Sequence, residues 1–191
     1  MLVRTPRLHE YERWPLINHL PFKRIRPNCR LRHALSTGNV VEMSTHEDFM
    51  RAAIAQAGLA EAAGDVPIGA VVVRNDEIVA STFNEKEALR VPTAHAEMLA
   101  IERAALKLNR WRLIDCDLYV TLEPCLMCAG GIIQARLRTV VYGAVDPKAG
   151  AVVSVYQALS DGRLNHRPVI VGGVLESECA SLLKDFFAKK R

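Results

Sequence analysis

Two short clusters, about thirty residues apart, constrain this chain more than anything else in it: His95-Ala96-Glu97 and Pro124-Cys125-Leu126-Met127-Cys128. Each opens a helical stretch. An alanine-rich run from Ala94 to Leu108 follows the first, and Cys125 to Ala135, preceded by Pro124, follows the second. Three residues apart on a helix, Cys125 and Cys128 project from one face, so both sulfurs reach a single ion at about 2.3 Å, and a nitrogen of His95 completes three protein ligands. The fold must therefore bring the N-terminal ends of two helices together. Such ends present unpaired backbone N–H groups and partial positive charge, which lower thiolate pKa values and favour metal binding. Three ligands instead of four leave one position for water, the mark of a catalytic rather than a structural zinc site.

Taken singly, the parts say less. A lone C-x-x-C also serves as a redox pair or as half of a four-ligand site, and a lone H-x-E carries little information. No further residue offers a fourth ligand at metal-site spacing. Cys116 precedes a strand and Cys179 falls in the last helix, both reading as ordinary buried cysteines, and His166 is far along the chain. Jointly the two clusters spell the signature of zinc-dependent nucleobase deaminases. Two thiolates and a neutral imidazole cancel the dication and still leave a Lewis acid able to ionise water near neutral pH. Glu97 cannot be a fourth ligand without closing the open position. Beside the water it can take a proton and pass it to a ring nitrogen and then to the departing amine, so it is the expected catalytic residue. The expected cofactor is one Zn2+ per subunit.

The 191 residues, half of them hydrophobic, suffice for one ordinary core. Residues 1–43 read as a basic extension, with Pro6, Pro15, Pro21 and Pro27 breaking any period, and residues 44–191 as the deaminase domain. Up to residue 42 the extension holds eight Lys or Arg against three acidic residues, a net +5, so the remainder of this +4 chain is −1. A disordered arm, a targeting peptide and sequence upstream of a start at Met43 all stay open, although Glu10 and Glu12 speak against an organellar address. A basic patch on the domain would have to come from Arg163, Arg167, Lys184, Lys189, Lys190 and Arg191. No apolar run approaches the roughly 18 residues of a membrane span, and a cytoplasmic protein is expected.

Within the domain, Ser44 and Glu47 stand at capping-box spacing before a helix that runs to Gly64. Ile68–Val73 and Ile78–Phe83, joined by Arg74-Asn75-Asp76, read as a hairpin. A loop spans 84–93. Short strands are expected at 118–121, 139–142 and 168–171, and an amphipathic helix from Glu176 to the end. Strands alternating with helices after a hairpin predict a mixed sheet covered on both faces.

Longer stretches narrow the reading. Asp65-Val66-Pro67-Ile68-Gly69-Ala70-Val71, Pro92-Thr93-Ala94-His95-Ala96-Glu97, Leu113-Ile114-Asp115, Leu118 through Gly130, Asn165-His166-Arg167 and Asp185-Phe186-Phe187 together resemble the bacterial tRNA-specific adenosine deaminases. The resemblance covers about His46 to Arg191. It implies a three-layer α/β/α cytidine-deaminase-like fold with a mixed five-stranded sheet, a homodimer, and hydrolysis of the wobble adenosine of a tRNA anticodon stem-loop to inosine, with the target base flipped into the pocket. By the same resemblance Asn84 contacts the target nucleotide, Asp146 and Lys148 lie in a loop along the anticodon, and Phe187 and the basic end near Arg191 meet neighbouring bases and phosphates. Of Phe186 and Phe187, about 100° apart on a helix, one is expected in the core and one outside. Two departures stand out: Gly131 after Gly130, expected to loosen its helix slightly, and Ala188 with a short basic end, expected to weaken tRNA affinity. The competing functions are a deaminase of a free base or nucleoside such as guanine or cytosine, and a non-catalytic zinc-bearing RNA-binding subunit, which the presence of Glu97 disfavours.

Overall fold

The computed structural model describes residues 45–190; the basic extension, Ser44 and Arg191 lie outside the described residues. Helix α1 (His46–Ala62) begins with a capping box one residue later than the spacing of Ser44 and Glu47 suggested. Thr45 Oγ1 accepts from the Asp48 N–H, and the Asp48 carboxylate accepts from the Thr45 N–H at 2.8 Å. Asp48 is one methylene shorter than Glu47 and stands three residues from Thr45, while Glu47 turns outward to Arg51 at 2.7 Å.

Strands β1 (Gly69–Arg74) and β2 (Glu77–Phe83) form the expected hairpin, closed by Asn75 and Asp76 at φ 50° and 58°. Two consecutive positive φ values make the turn that matches the twist of a two-residue hairpin, and Asn and Asp tolerate them best among residues with a Cβ. The 84–93 stretch is not all loop: a single helical turn, α2 (Lys86–Leu89), forms inside it. Its anchor is buried Asp65, whose carboxylate accepts from the N–H groups of Val66 and Glu87. There follow α3 (Ala96–Lys107), β3 (Asp117–Leu122), α4 (Leu126–Ala135), β4 (Thr139–Ala144), a 3₁₀ turn at Ala158–Ser160, β5 (Val169–Val171) and α5 (Glu176–Lys189).

The sheet order is β2-β1-β3-β4-β5. β1 runs antiparallel to both neighbours, whereas β3, β4 and β5 are mutually parallel. This is the mixed five-stranded sheet expected, and it is covered on both faces. Strand residues alternate between two apolar clusters: Ala70, Val72, Leu118, Val120, Val140 and Tyr142 pack toward α3 and α4, while Val71, Val73, Tyr119 and Val141 pack with α1 and Cys179 of α5. A strand buried on both sides reads as a continuous apolar run, which is how 70–73 looks in sequence. Gly131 has a packing reason. A Cβ there would lie 2.6 Å from Met98 Sδ, so the missing side chain is what lets α4 lie close against α3. The C-terminal ends of β3 and β4 open toward the N-termini of α3 and α4, and that edge carries the site.

Candidate metal centre and adjoining groove

His95 is the N-cap of α3 and Cys125 the N-cap of α4, with Cys128 three residues into the same helix. His95 Nδ1 lies 3.8 Å from Cys125 Sγ and 3.6 Å from Cys128 Sγ, and the two sulfurs are 3.7 Å apart. Two thiolates bound at about 2.3 Å across a tetrahedral angle lie roughly 3.8 Å apart, so this triangle fits a zinc ion without rearrangement. Among the described residues these three are the group of His, Cys, Asp and Glu side chains close enough to share an ion. The expected ligands therefore meet.

The electrostatics of the three are linked. Cys125 accepts a hydrogen bond from the Cys128 thiol and lies beside His95, and its pKa falls to about 3. Cys128, as donor to Cys125 and buried, is pushed up, and Cys125 holds the His95 imidazole above its ordinary range. A dication among them would displace protons from the cluster and hold both sulfurs as thiolates.

Glu97, in the first turn of α3, is 4% exposed. Burial pushes its carboxyl up from the usual range, and its Oε2 has no hydrogen-bond partner. A buried acid oxygen without a protein partner, two residues from one of the three clustered side chains, is free to bond a group that is not protein. Asn84, 1% exposed, accepts the Ala96 N–H at its Oδ1 (2.9 Å), and its own N–H binds the Ile68 carbonyl. Thr82 Oγ1 donates to the Ala96 carbonyl at 2.7 Å. Asn84 and Thr82 thus grip both faces of the peptide residue between His95 and Glu97.

A groove of about 660 Å³ adjoins this edge of the sheet, and Ile68, Leu122, Asp146, Lys148, Lys184 and Phe187 are among its walls. It brings together three of the four described residues expected to meet substrate; the fourth, Asn84, is tied to its wall through Ile68. Phe186 is buried and Phe187 half exposed, as the helical phase required. Asp146 Oδ1 accepts from the N–H groups of Lys148 and Ala149, shaping the loop that carries both expected residues. Of the basic candidates, Lys189 pairs with Glu61, Lys190 stacks on Phe186, and Arg163 pairs with Asp161. Arg191 lies outside the described residues.

Sequence reasoning gave no role to Glu123. Its buried carboxylate accepts from the N–H groups of Asp146 (3.0 Å), Val152 (3.0 Å), Val153 (2.8 Å) and Ser154 (3.0 Å), and from the Ser154 hydroxyl. Its pKa is about 2: burial raises it, but the donors, led by Ser154, lower it further. A glutamate between the buried run Leu118–Leu122 and a metal-ligand proline-cysteine pair was the available signal.

The sequence model of the cytidine and deoxycytidylate deaminase zinc-binding region matches residues 43–144. The chain is 47% identical over 149 residues to the tRNA-specific adenosine deaminase of Bacillus subtilis (strain 168), spanning 78% of this chain and 92% of that protein. It is similar, at TM-score 0.69 and 44% identity, to a structure solved in a study of A-to-I editing by tRNA deaminases at the wobble position of transfer RNA, covering 71% of this chain and 98% of that one. A guanine deaminase structure from Bacillus subtilis superposes at TM-score 0.52 with 41% identity, covering 53% of this chain and 66% of that one.

Proposed function

The chain belongs to the tRNA-specific adenosine deaminases, within the wider family of cytidine and deoxycytidylate deaminases, and we propose from that premise that it converts the wobble adenosine of a tRNA anticodon to inosine. Water is consumed and ammonia released. The observation that carries the substrate assignment is the groove, where Lys148, Lys184 and half-exposed Phe187 stand on one surface beside the zinc edge. Cations and an exposed ring suit a single strand with splayed bases; a pocket for a free base needs neither.

His95, Cys125 and Cys128 hold one zinc ion per subunit, which supplies a Lewis acid that lowers the pKa of water toward neutrality. Glu97 is the proton carrier. Its unpartnered Oε2 takes one proton of the attacking water and delivers it to a ring nitrogen of the adenine, then carries the remaining proton of the added hydroxyl to the departing amine, which leaves as ammonia. Burial raises the pKa of this carboxyl above the usual carboxylate range. Asn84 fixes the Ala96 peptide and contacts the target nucleotide, while Asp146, Lys148, Phe187 and Arg191 meet the flanking nucleotides.

The active form is a homodimer in the cytoplasm. Leu106 at 74% and Trp111 at 59% exposure, with Leu126, leave apolar surface along α3 and α4 that a second copy would cover. Sedimentation of the full chain tests this, and a monomer at assay concentration overturns it.

Substrate choice is tested by incubating the zinc-loaded chain with a synthetic anticodon stem-loop bearing a wobble adenosine, and separately with free guanine, cytosine and adenosine. Inosine is expected in the stem-loop alone. Turnover of free bases alone overturns the reading in favour of the guanine-type relatives.

A further inference from the structure

Nine consecutive residues fold around one buried side chain. The Glu123 carboxylate accepts from Asp146 at the start of the segment and from Val152, Val153 and Ser154 at its end. The same stretch is knitted to the residues that follow Glu123. The Pro124 carbonyl accepts from the Ala151 N–H at 2.8 Å, and Cys125 bridges to Gly150. A Cβ at Gly150 would overlap the Glu123 carboxyl, so only glycine permits the carboxylate to sit inside the loop.

One short segment of chain, Glu123-Pro124-Cys125, therefore holds a metal ligand at one end and the groove-lining loop of Asp146 and Lys148 at the other. We propose that Glu123 is a positioning residue for the deamination: its carboxylate sets the 146–154 loop, and with it the groove wall, at a fixed place relative to the metal centre. The inference rests on the anticodon reading above. A target base must reach the metal while its neighbours lie in the groove, and small displacements of such supports cost much in binding. Only a carboxylate supplies acceptors on both oxygens. In Glu123→Gln one oxygen becomes an NH2 that cannot accept, and one end of the loop loses its anchor.

The test uses the full-length, zinc-loaded chain and its Glu123→Gln and Ser154→Ala variants. Hydrogen exchange without RNA, zinc content, thermal midpoint, and kcat and KM on the stem-loop are measured for each. For Glu123→Gln we expect faster exchange at the end of the loop that loses its acceptor, the amide of 146 or those of 152–154, zinc retained, and a KM raised roughly tenfold with a much smaller change in kcat. Ser154→Ala moves KM in the same direction by less. A lower thermal midpoint with KM within about twofold of wild type means a merely structural staple and overturns the proposal. Loss of zinc from Glu123→Gln overturns it too, since the residue would then act through the metal. If Glu123→Gln does not fold, Ser154→Ala decides: faster exchange with unchanged KM overturns the positioning role. A wild-type chain inactive on the stem-loop overturns the functional reading instead, and the KM comparison is then made on the free base that it turns over, where an unchanged KM overturns the positioning role as well.

Discussion

Glu97 and Cys128 lie in first turns of neighbouring helices, both nearly or fully buried, yet the chemistry asks different things of them. Glu97→Ala removes the proposed proton carrier, which is not one of the three clustered side chains. Its deaminase rate is expected to fall by at least about two to four orders of magnitude with zinc content unchanged, because proton transfer is the step it supplies. Cys128→Ala removes one of three ligands, and the purified protein is expected to lose its zinc. Metal analysis beside single-turnover rates separates the two; an active Glu97→Ala refutes the role of Glu97. These residues were legible in the sequence because coordination imposes both type and spacing. Glu123 was not. Apart from the Ser154 hydroxyl, its partners are backbone N–H groups 23 to 31 residues away, and backbone donors leave no trace in residue identity.

At the scale of elements, most of the fold was legible for a similar reason: the β-branched run of β1, the Asn-Asp turn and the helix starts are local signals. One error was a local competition and another a long-range contact. Two overlapping capping boxes competed at α1, and the shorter acid won. The turn α2 was missed because what stabilises it, Asp65, sits twenty-two residues before Glu87. An ion-pair cluster has the same character. Asp115, before β3, accepts from Arg74 at the end of β1 (2.8 Å) and from Arg110 after α3, and its pKa falls to about 2, the hydrogen bonds from the two arginines outweighing the effect of burial. The folded pKa lies below the ordinary 3.8, so the carboxylate stabilises the fold at neutral pH and that contribution is lost as pH falls from about 4 toward 2. The thermal midpoint of Asp115→Asn should lie below wild type at pH 7, with the gap narrowing below about pH 4. A gap independent of pH refutes the assignment. Taking the difference between the two proteins removes acid loss of zinc, which both suffer alike.

For the whole molecule, charge distribution matters more than its sum. The extension carries +5 and the remainder is −1, so on the proposed reading the domain's own attraction for RNA would come from local placement of cations, such as Lys148 and Lys184 on the groove. KM for the stem-loop should rise steeply with salt, each neutralised phosphate contributing about 0.7 to the logarithmic slope for a single strand, while kcat stays nearly level. A salt-independent KM would place recognition elsewhere. No described helix is long and apolar enough to cross a membrane.

The sequence by itself determined the reaction. A metal demands particular donor atoms at particular spacings, and helical geometry turns three residues of sequence into one shared face. It also determined the two-sided sheet, since burial on both faces leaves continuous apolar runs. Tertiary structure alone decided how the groove edge is assembled: that Asp146, Lys148 and Phe187 share a groove, that Gly131 lets α3 and α4 lie close, and that one carboxylate ties the loop to the segment leading into Cys125. Those contacts are made through backbone groups and empty space between segments far apart in the chain, and neither is written in the identity of any single residue.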